Sequence, residues 1–593
     1  MMYARFGGDH KVERPLRLLR RAAGFGRDLA RPAAGAVAAT IVSTFARLAS
    51  PLVIRWGIDE GVVARDLQVV TSATSMLLVV LVVQYITQRV SIYSVAWVAE
   101  RYLRSLRVRV FRHLINLDMG FFGRSKTGVL VSRMTSDIEA LTEFANQGAV
   151  SVITSVLMVS GVTVAMFLVD GTLALTVLAL MPLLILISLI FRRYADRAYQ
   201  AIREQIGQVL GTLQEGISGV RVVQAYTQER RQAIEFGRVN QRYFEANLSA
   251  AKAIASYFPA VDFLASVGIA LILFVGGSRV LDGEMSFGSL VAFLLYLSYF
   301  FEPIVQLSNV YNLLQAALAA LSKLFGILDT TTAVQETADP IGLVEPVCGE
   351  VSIRGVTFGY APDTPVLEDI DLEIGCGERV AVVGETGAGK STMAKLAVRF
   401  YDPDQGTVSL DGVDLRQLSF ASLRQHVALV PQEGYLFGGT LRDNVAFARP
   451  GITDEEIWAV CATMGIDDWV RSLPERLDTE VRERGSRFSS GERQLVALAR
   501  ALIADPALIV LDEATSNLDP ETEARVEAAL SVLLEGRTAM VIAHRLQTAK
   551  RADRVVLVDG GRIVEEGSHD ELVARGGAYA RLSEVWEGTD VAS

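Results

Sequence analysis

The sequence predicts two domains of different fold class, an all-α domain of six transmembrane helices followed by an α/β domain that contains a phosphate-binding loop. The first observation behind this prediction is a set of six apolar segments that approach or exceed the about 20 residues needed to cross a bilayer. The second is the glycine-rich sequence GETGAGKS at 384–391. The chain has 593 residues, more than one hydrophobic core holds, and its mean hydropathy of +0.32 is high for a soluble protein. We expect the transmembrane domain at 1–325, a linker at 326–347 and the nucleotide-binding domain at 348–593.

The amino-acid pattern gives the positions of the six spans. They lie at 32–54, 69–95, 148–169, 172–191, 257–281 and 286–306. An even number of spans places both ends of the chain on one side of the membrane. The basic stretch before Pro32 has no apolar core of its own, so we interpret it as a cytoplasmic elbow rather than a cleavable signal.

The loops between the spans predict the orientation. Arg and Lys are frequent between the second and third spans and between the fourth and fifth, whereas the opposite face offers only Arg55, Arg65 and Arg279. By the positive-inside rule the two long loops, both termini and the nucleotide-binding half are cytoplasmic. The loops have a helical pattern and no Pro, which favours long helices extending beyond the membrane over two independent cytoplasmic domains. We therefore predict a multi-pass protein of the cytoplasmic membrane, with the lipid bilayer as one partner.

Charge and cysteine content narrow the other partners. The formal net charge of −10 argues against nucleic acid, because phosphate binding draws on a basic surface. The three cysteines show no metal-ligand spacing. Charged residues within the spans include Arg47, Asp262 and Glu302. They either line a polar cavity for an amphipathic or cationic compound, or form helix-packing pairs and headgroup contacts.

The glycine-rich loop follows a short apolar run at 379–383 that suits a buried parallel strand, and 391–399 can continue as a helix. The glycines let backbone N–H groups turn towards phosphate oxygens, while Lys390 reaches the β and γ phosphates and the Ser391 hydroxyl ligates Mg²⁺. A glycine-rich structural turn is the alternative for the motif taken alone. The residues that we assign to the nucleotide here are Gly384, Glu385, Thr386, Gly387, Ala388, Gly389, Lys390, Ser391 and Thr392.

A second apolar run, at 508–511, ends in two carboxylates. At the carboxyl end of a buried strand Asp512 is placed to hold Mg²⁺, and Glu513 to polarise the water that attacks the γ-phosphate. A strand followed by an acidic helix start is the alternative interpretation. The phosphate-binding loop upstream favours the catalytic one.

In this order along one chain, the segments resemble the ABC exporter half-transporters, in which one membrane domain is fused to one nucleotide-binding domain. The segments 117–122, 127–128 and 132–137 resemble the first cytoplasmic loop of that family, and 215–226 with Glu229 resembles the second. The resemblance covers nearly the whole chain. It implies short coupling helices that dock on nucleotide-binding domains, near 119–122 and 225–228.

The resemblance also assigns the remaining residues of an ATP site. Tyr360 matches the aromatic residue that stacks on adenine, Gln432 the glutamine that touches Mg²⁺ or the attacking water, and His544 the histidine that contacts the γ-phosphate. The segments 516–519 and 479–485 match two further loops of the family. Together these matches imply ATP and Mg²⁺ as cofactors, and they give catalytic roles to Glu513, His544, Gln432 and Lys390 and metal contacts to Ser391, Gln432 and Asp512.

The signature motif departs from the family. The usual LSGGQ appears as FSSGE at 488–492, which keeps Ser489 and Gly491 but replaces a glycine by Ser490 and the glutamine by Glu492. In the family this helix start binds the ATP held by the other subunit, so we expect Ser489 and Gly491 to contact nucleotide. A carboxylate at Glu492 adds repulsion near the γ-phosphate if it points inward. Because only this element is altered, we favour a heterodimer with a second half-transporter that lacks the catalytic glutamate. A homodimer that tolerates the variant is the alternative.

The resemblance implies ATP-driven export of an amphipathic small molecule, drug or lipid by alternating access. An exporter-shaped importer of a siderophore or vitamin, and a nucleotide-regulated membrane receptor or channel, are the alternatives. The cargo is not determined by the sequence, because cargo contacts in such cavities are dispersed apolar residues without a fixed spacing.

Overall fold

The computed structural model describes residues 15–361, 363–512, 520–543 and 545–590, without the side chains at 304, 305, 307–309, 520 and 588–590. The chain divides into two compact units. The first consists of Met1–Leu114 with Gly128–Asp329, and the second of Ile115–Thr127 with Thr330–Ser593. The short segment Ile115–Thr127 therefore leaves the helical unit and packs with the domain that follows it in the sequence.

The described residues of the first unit form helices joined by short turns. Its α-helices, numbered along the whole chain, are α1 Pro15–Phe25, α2 Ala30–Trp56, α3 Leu67–Ile115, α5 Thr127–Ser132, α6 Ile138–Glu143, α7 Ala149–Val169, α8 Gly171–Leu178, α9 Met181–Ser218, α10 Val220–Ala225, α11 Glu229–Leu271, α12 Gly277–Leu281 and α13 Phe287–Leu328, while α4 is Met119–Arg124. Wider π-helical turns continue several of these helices, at Gly57–Val63, Arg133–Asp137, Phe144–Gly148 and Ile272–Gly276.

Six helical stretches in the described part of the chain are long and apolar enough to cross a membrane: Arg27–Val63, Leu67–Ile115, Thr127–Val169, Gly171–Ser218, Glu229–Leu281 and Val310–Leu328. The predicted fold class, with six apolar helices before an α/β domain, is thus confirmed. The sixth predicted span, 286–306, falls in the first half of α13, whose apolar stretch Phe287–Pro303 precedes Val310–Leu328. Most helices extend well past the predicted spans.

Aromatic packing and helix caps hold this unit together. Phe293 and Tyr296 of α13 are fully buried with Val162 of α7, and the Tyr296 hydroxyl donates to the Leu48 carbonyl at 2.7 Å. Asp170 caps α8 by accepting from the first-turn N–H groups, and its carboxylate also pairs with Arg279 at 2.7 Å. The cap and the ion pair together fix the turn between the third and fourth long helices.

The second unit contains two sheets. Its strands are β1 Val351–Phe358, β2 Leu367–Ile374, β3 Arg379–Val383, β4 Gln405–Leu410, β5 Val413–Asp414, β6 Val427–Val430, β7 Leu508–Asp512, β8 Thr538–Ile542, β9 Arg554–Asp559 and β10 Arg562–Gly567. One sheet is antiparallel with the order β2-β1-β4-β5. The other has the order β10-β9-β3-β8-β7-β6, and all its pairings are parallel except the edge pairing of β10 with β9.

Helices surround the parallel sheet: α14 Lys390–Ala397, α15 Phe420–His426, α16 Leu441–Val445, α17 Asp454–Thr463, α18 Asp467–Ser472, α19 Ser490–Ala504, α20 Pro520–Leu534, α21 Leu546–Lys550, α22 His569–Arg575 and α23 Ala578–Asp590. The central strands β3, β7 and β8 are buried apolar runs, as expected of parallel strands covered on both faces. Residues that follow β3 and β7 meet at the carboxyl edge of this sheet, where ligands bind in open α/β folds.

Candidate nucleotide-binding site

The glycine-rich loop lies between β3 and α14. Gly384, Gly387 and Gly389 have φ angles of +146°, +89° and +109°, a region that residues with a Cβ rarely adopt. Space is also restricted, because a Cβ on Gly384 would overlap the Val558 carbonyl and one on Gly389 would lie 2.5 Å from Leu367 Cδ2. The conformation of this loop therefore depends on glycine at these positions.

The loop offers several hydrogen-bond donors. In the part of the chain that the structure describes, the backbone N–H groups of Thr386, Gly387, Gly389 and Ser391 have no protein acceptor. The Lys390 ammonium folds back over the loop and donates to the carbonyls of Gly384 and Glu385, both at 2.8 Å. Unpaired N–H groups beside one buried cation fit the phosphate chain of a nucleotide.

Ser391 and Asp512 are brought together from opposite sides of the site. The Ser391 hydroxyl donates to Asp512 Oδ1 at 3.2 Å, which joins the first turn of α14 to the end of β7. A hydroxyl and a carboxylate are hard oxygen donors, the type that Mg²⁺ binds. These two side chains thus fit a magnesium ion that also contacts the nucleotide. Gln432 lies just past the end of β6 and is exposed.

Tyr360 is held near the helix that follows the loop, α14, by contacts that the sequence did not indicate. Its hydroxyl pairs with Thr392 Oγ1 at 3.1 Å, its ring lies edge-on to Tyr401 at 5.3 Å between centroids, and Lys395 Nζ is 5.5 Å from the ring centre. The side chain remains partly exposed, so it can still present a surface to a base. No spacing or motif in the sequence distinguished Tyr401 or Lys395.

The first predicted coupling helix corresponds to α4 and belongs to the same unit as this site. Asp118 caps it at the Phe121 N–H (2.9 Å) and also accepts from the Ala333 N–H (2.5 Å) and the Thr332 hydroxyl (3.1 Å). Burial alone raises the pKa of Asp118, but these hydrogen bonds outweigh burial and hold its pKa below the usual range. The carboxylate is therefore ionised at neutral pH and ties the loop to the start of the domain.

Tyr401 connects this coupling helix to Tyr360. A Cβ added at Gly120 would lie 3.3 Å from Tyr401 Cε1, so the helix backbone rests almost directly on the Tyr401 ring. The second predicted tip differs, since α10 has no buried residue and Tyr226 beside it is 70% exposed. Gly120 and Phe121 of the first predicted coupling helix are buried, whereas the residues near 225–228 lie on the surface.

The altered signature forms the start of α19. The Ser489 hydroxyl accepts from the Glu492 N–H at 3.2 Å, and the Ser489 N–H donates to Glu492 Oε2 at 2.7 Å, which is a complete capping box. The second carboxylate oxygen of Glu492 accepts from the Trp469 indole N–H at 2.8 Å. Both oxygens of Glu492 are thus directed to its own chain. Gly491 is buried in the first helical turn.

The charged residues inside the predicted spans do not behave alike. Arg47 pairs with Glu302 at 2.7 Å and its guanidinium lies 4.6 Å from the Tyr299 ring centre, which fits the helix-packing interpretation for these two residues. Asp262 is exposed and its carboxylate has no partner among the residues that the structure describes. The cavity and headgroup interpretations therefore both remain for Asp262.

Three parts of the predicted site lie outside the described residues: Glu513, His544 and the segment 516–519. Their roles in orienting the attacking water and contacting the γ-phosphate stay predictions.

Comparison with known proteins matches both halves of the chain. The family described as ABC transporter transmembrane region matches residues 34–304, and the family described as ABC transporter matches 367–516. An ATP-dependent lipid A-core flippase of Thiobacillus denitrificans is 36% identical over 88% of this chain and 90% of its own length. A multidrug efflux ATP-binding/permease protein of Mycobacterium bovis is 35% identical over 94% of this chain, which spans 46% of that longer protein. A bacterial Atm1-family ABC exporter solved with ATP bound has a TM-score of 0.77 and 27% identity, covering 93% of this chain and 97% of that one.

Proposed function

Because the chain belongs to the ABC transporters, with a transmembrane region fused to an ATPase domain, we propose that it exports an amphipathic small molecule, drug or lipid across the cytoplasmic membrane. It is a membrane protein and an ATPase coupled to transport. The observation that carries the proposal is the junction of Ser391 with Asp512 beside the Lys390 loop, in one chain with six apolar helices. The names of the lipid and multidrug relatives favour export over uptake.

Different residues of the site are proposed to bind different parts of ATP. The loop N–H groups and Lys390 bind the phosphates, and Tyr360 supports the adenine. Ser391, Gln432 and Asp512 are the residues that would hold magnesium, which supplies positive charge to offset the phosphate oxygens. Glu513 and His544 are proposed to orient the attacking water. The arginine-rich loops support a cytoplasmic placement of this domain.

The site is proposed to be completed by a second half-transporter. Phosphates bound at the loop would be covered by the partner's signature helix, and closure of the paired domains would turn the cavity from the cytoplasm to the exterior. ATP acts in this scheme by binding the closed pair more tightly than the open pair. Hydrolysis then resets the transporter.

We favour a heterodimer. The geometry of Glu492 changes the physical reason for expecting weak phosphate binding at the signature motif. Its carboxylate does not project freely towards a phosphate, because Ser489 and Trp469 hold both oxygens. A negative charge at the N-terminus of α19 nevertheless offsets the positive end of the helix dipole, which weakens the attraction for another anion. This supports a signature suited to a site of low catalytic activity on the partner.

ATPase measurement in lipid vesicles tests the proposal. We expect the purified chain alone to hydrolyse ATP slowly, and addition of the half-transporter encoded next to it to raise the rate, with further stimulation by an amphipathic cargo. Glu513→Gln serves as the inactive control. Robust cargo-stimulated activity of the chain alone contradicts the heterodimer. Accumulation of cargo on the cytoplasmic side, in inverted vesicles supplied with ATP, contradicts export.

A further inference from the structure

The helical unit contains a cavity of about 560 Å³ that is separate from the residues of the nucleotide-binding site. It is bounded by α1, α2, α3 and α7 together with Leu321 of α13, so it lies between the N-terminal elbow and the first three spans. This volume is in the range of pockets that hold a small ligand or one long chain. The walls are mainly alanine and aliphatic side chains, among them Ala33, Ala36 and Ala99.

The uncharged polar side chains of the cavity wall, Thr40 and Tyr102, are already paired. Thr40 shares a hydrogen bond with Ser91 at 2.6 Å, and the Tyr102 hydroxyl donates to the Ala22 carbonyl at 3.0 Å. A water molecule needs two to four polar partners, and an apolar cavity without them stays dry. The interior therefore suits hydrocarbon rather than water or a polar compound.

The mouth of the cavity is positively charged. Arg27 lines it and is exposed, beside the exposed residues Ala23 and Ala30. The segment 15–32 contains five arginines, and Asp28 is its only acidic residue. In the described part of the chain, the side chains of Arg17, Arg20, Arg27 and Arg31 have no ion pair, hydrogen bond or ring contact, whereas Arg21 pairs with Asp329. Unpaired arginines at a membrane surface attract anionic headgroups.

We propose that this cavity binds one acyl chain of an anionic membrane phospholipid, with the headgroup phosphate against Arg27. The observation that carries the proposal is the juxtaposition of a dry, alanine-lined cavity with an unpaired arginine at its mouth, within a unit that spans a bilayer. The lipid would be a resident component that fills the gap between the elbow and the spans. It is independent of the proposed cargo and of the direction of transport.

Photo-crosslinking of the full chain in nanodiscs tests this site. The probes are phosphatidylglycerol and phosphatidylcholine that carry the same diazirine-labelled acyl chain, and peptide mass spectrometry locates the adducts. We expect adducts on α1, α2 and α3 at least threefold stronger with phosphatidylglycerol. Arg27→Gln should lower the phosphatidylglycerol signal to that of phosphatidylcholine. Arg17→Gln, a matched charge loss near the start of α1 and outside the cavity lining, should leave it higher.

Two variants that fill the cavity complete the test. Ala33→Phe and Ala99→Phe, on different helices, should remove the adducts of both lipids, while Ala38→Phe on an exposed position of α2 should not. Size-exclusion chromatography shows which variants fold, and either filling variant suffices. Equal labelling by the two lipids, equal loss in Arg17→Gln and Arg27→Gln, or adducts that survive filling would overturn the proposal. Because the measurement needs neither ATP nor cargo, it succeeds or fails separately from the export proposal.

Discussion

The two segments proposed to hold nucleotide phosphates differ in how far the chain itself satisfies their hydrogen-bonding groups. In the glycine-rich loop, the N–H groups of Thr386, Gly387 and Gly389 have no acceptor within the described residues. At the start of α19, by contrast, the Ser489 N–H and the indole of Trp469 both donate to Glu492. The loop presents unused donors, whereas at the signature helix start an internal carboxylate already occupies the Ser489 N–H.

The difference between the two segments comes from one side chain, Glu492. The proposed asymmetry between the two ATP sites of the transporter therefore depends on this residue. A charge at a helix N-terminus changes its interaction with an anion by about 0.3–1 kcal/mol. The same carboxylate stabilises α19 in the isolated chain, so folding and phosphate binding compete for the helix start. The loop is under no such competition, because its conformation is fixed by glycine backbone geometry.

The largest expected effect is on the loop side. Lys390→Ala removes the buried ammonium, and we expect ATPase activity of the complete transporter to fall at least about 100-fold, the typical cost of one preorganised electrostatic contact to the transition state. Lys550→Ala is a suitable control, because Lys550 lies in the same domain but pairs on the surface with Glu587. Retention of a third of the activity in Lys390→Ala would show that the loop is not the catalytic phosphate site.

A smaller effect is expected at the magnesium contact. Ser391→Ala removes the hydroxyl that donates to Asp512, and we expect the Mg²⁺ concentration for half-maximal ATPase activity to rise about tenfold, the equivalent of one hydrogen bond to a charged group. Ser391→Thr keeps a hydroxyl and should stay near the wild-type requirement. If both variants respond to Mg²⁺ alike, the hydroxyl does not act at the metal.

The loop side of this comparison was predictable from sequence, because glycine spacing, a lysine and an apolar run before them are local requirements of one strand–loop–helix turn. The meeting of Ser391 with Asp512 was also foreseeable. Ser391 comes shortly after one buried strand, Asp512 ends another, and the carboxyl ends of parallel strands share an edge. Six spans could be counted because bilayer thickness sets a minimum length of apolar sequence.

The signature side was not predictable in the same way. The motif indicated a carboxylate at 492, but its direction depends on Trp469, which is 23 residues away on another helix. Tyr401 beside Tyr360 and the partner of Arg47 were missed for the same reason, because contacts between distant segments leave no fixed spacing. The sixth helix also extends beyond its predicted end, since a helix can continue after its membrane-spanning part.

On the signature side, Glu492→Gln tests the competition directly. The amide oxygen can still accept a hydrogen bond in the capping box, while the negative charge is lost. We expect the ATP KM of the complete transporter to fall about two- to fivefold, as the helix dipole is no longer offset. The thermal unfolding midpoint should fall by about 2–4 °C, because the amide nitrogen cannot accept from the Trp469 indole N–H. Glu492→Ala is the matched control, which loses the cap as well and should unfold at a lower temperature. An unchanged KM in Glu492→Gln would remove the electrostatic basis for the heterodimer.

The smallest effect concerns what holds Glu492 in place. Trp469→Phe deletes the indole N–H but keeps a ring that packs edge-on against Phe488, at 5.9 Å between centroids in the native pair. We expect the unfolding midpoint to fall by about 2–4 °C, since one hydrogen bond of about 1 kcal/mol is lost from a domain of this size. The ATP KM of this variant distinguishes two possible roles of Trp469, in stability and in orienting Glu492. If Trp469 only stabilises the fold, KM is unchanged. If it turns the carboxylate away from the nucleotide, Trp469→Phe should raise KM, and the increase should vanish when Glu492→Gln is also present, because a neutral amide repels no phosphate whichever way it points.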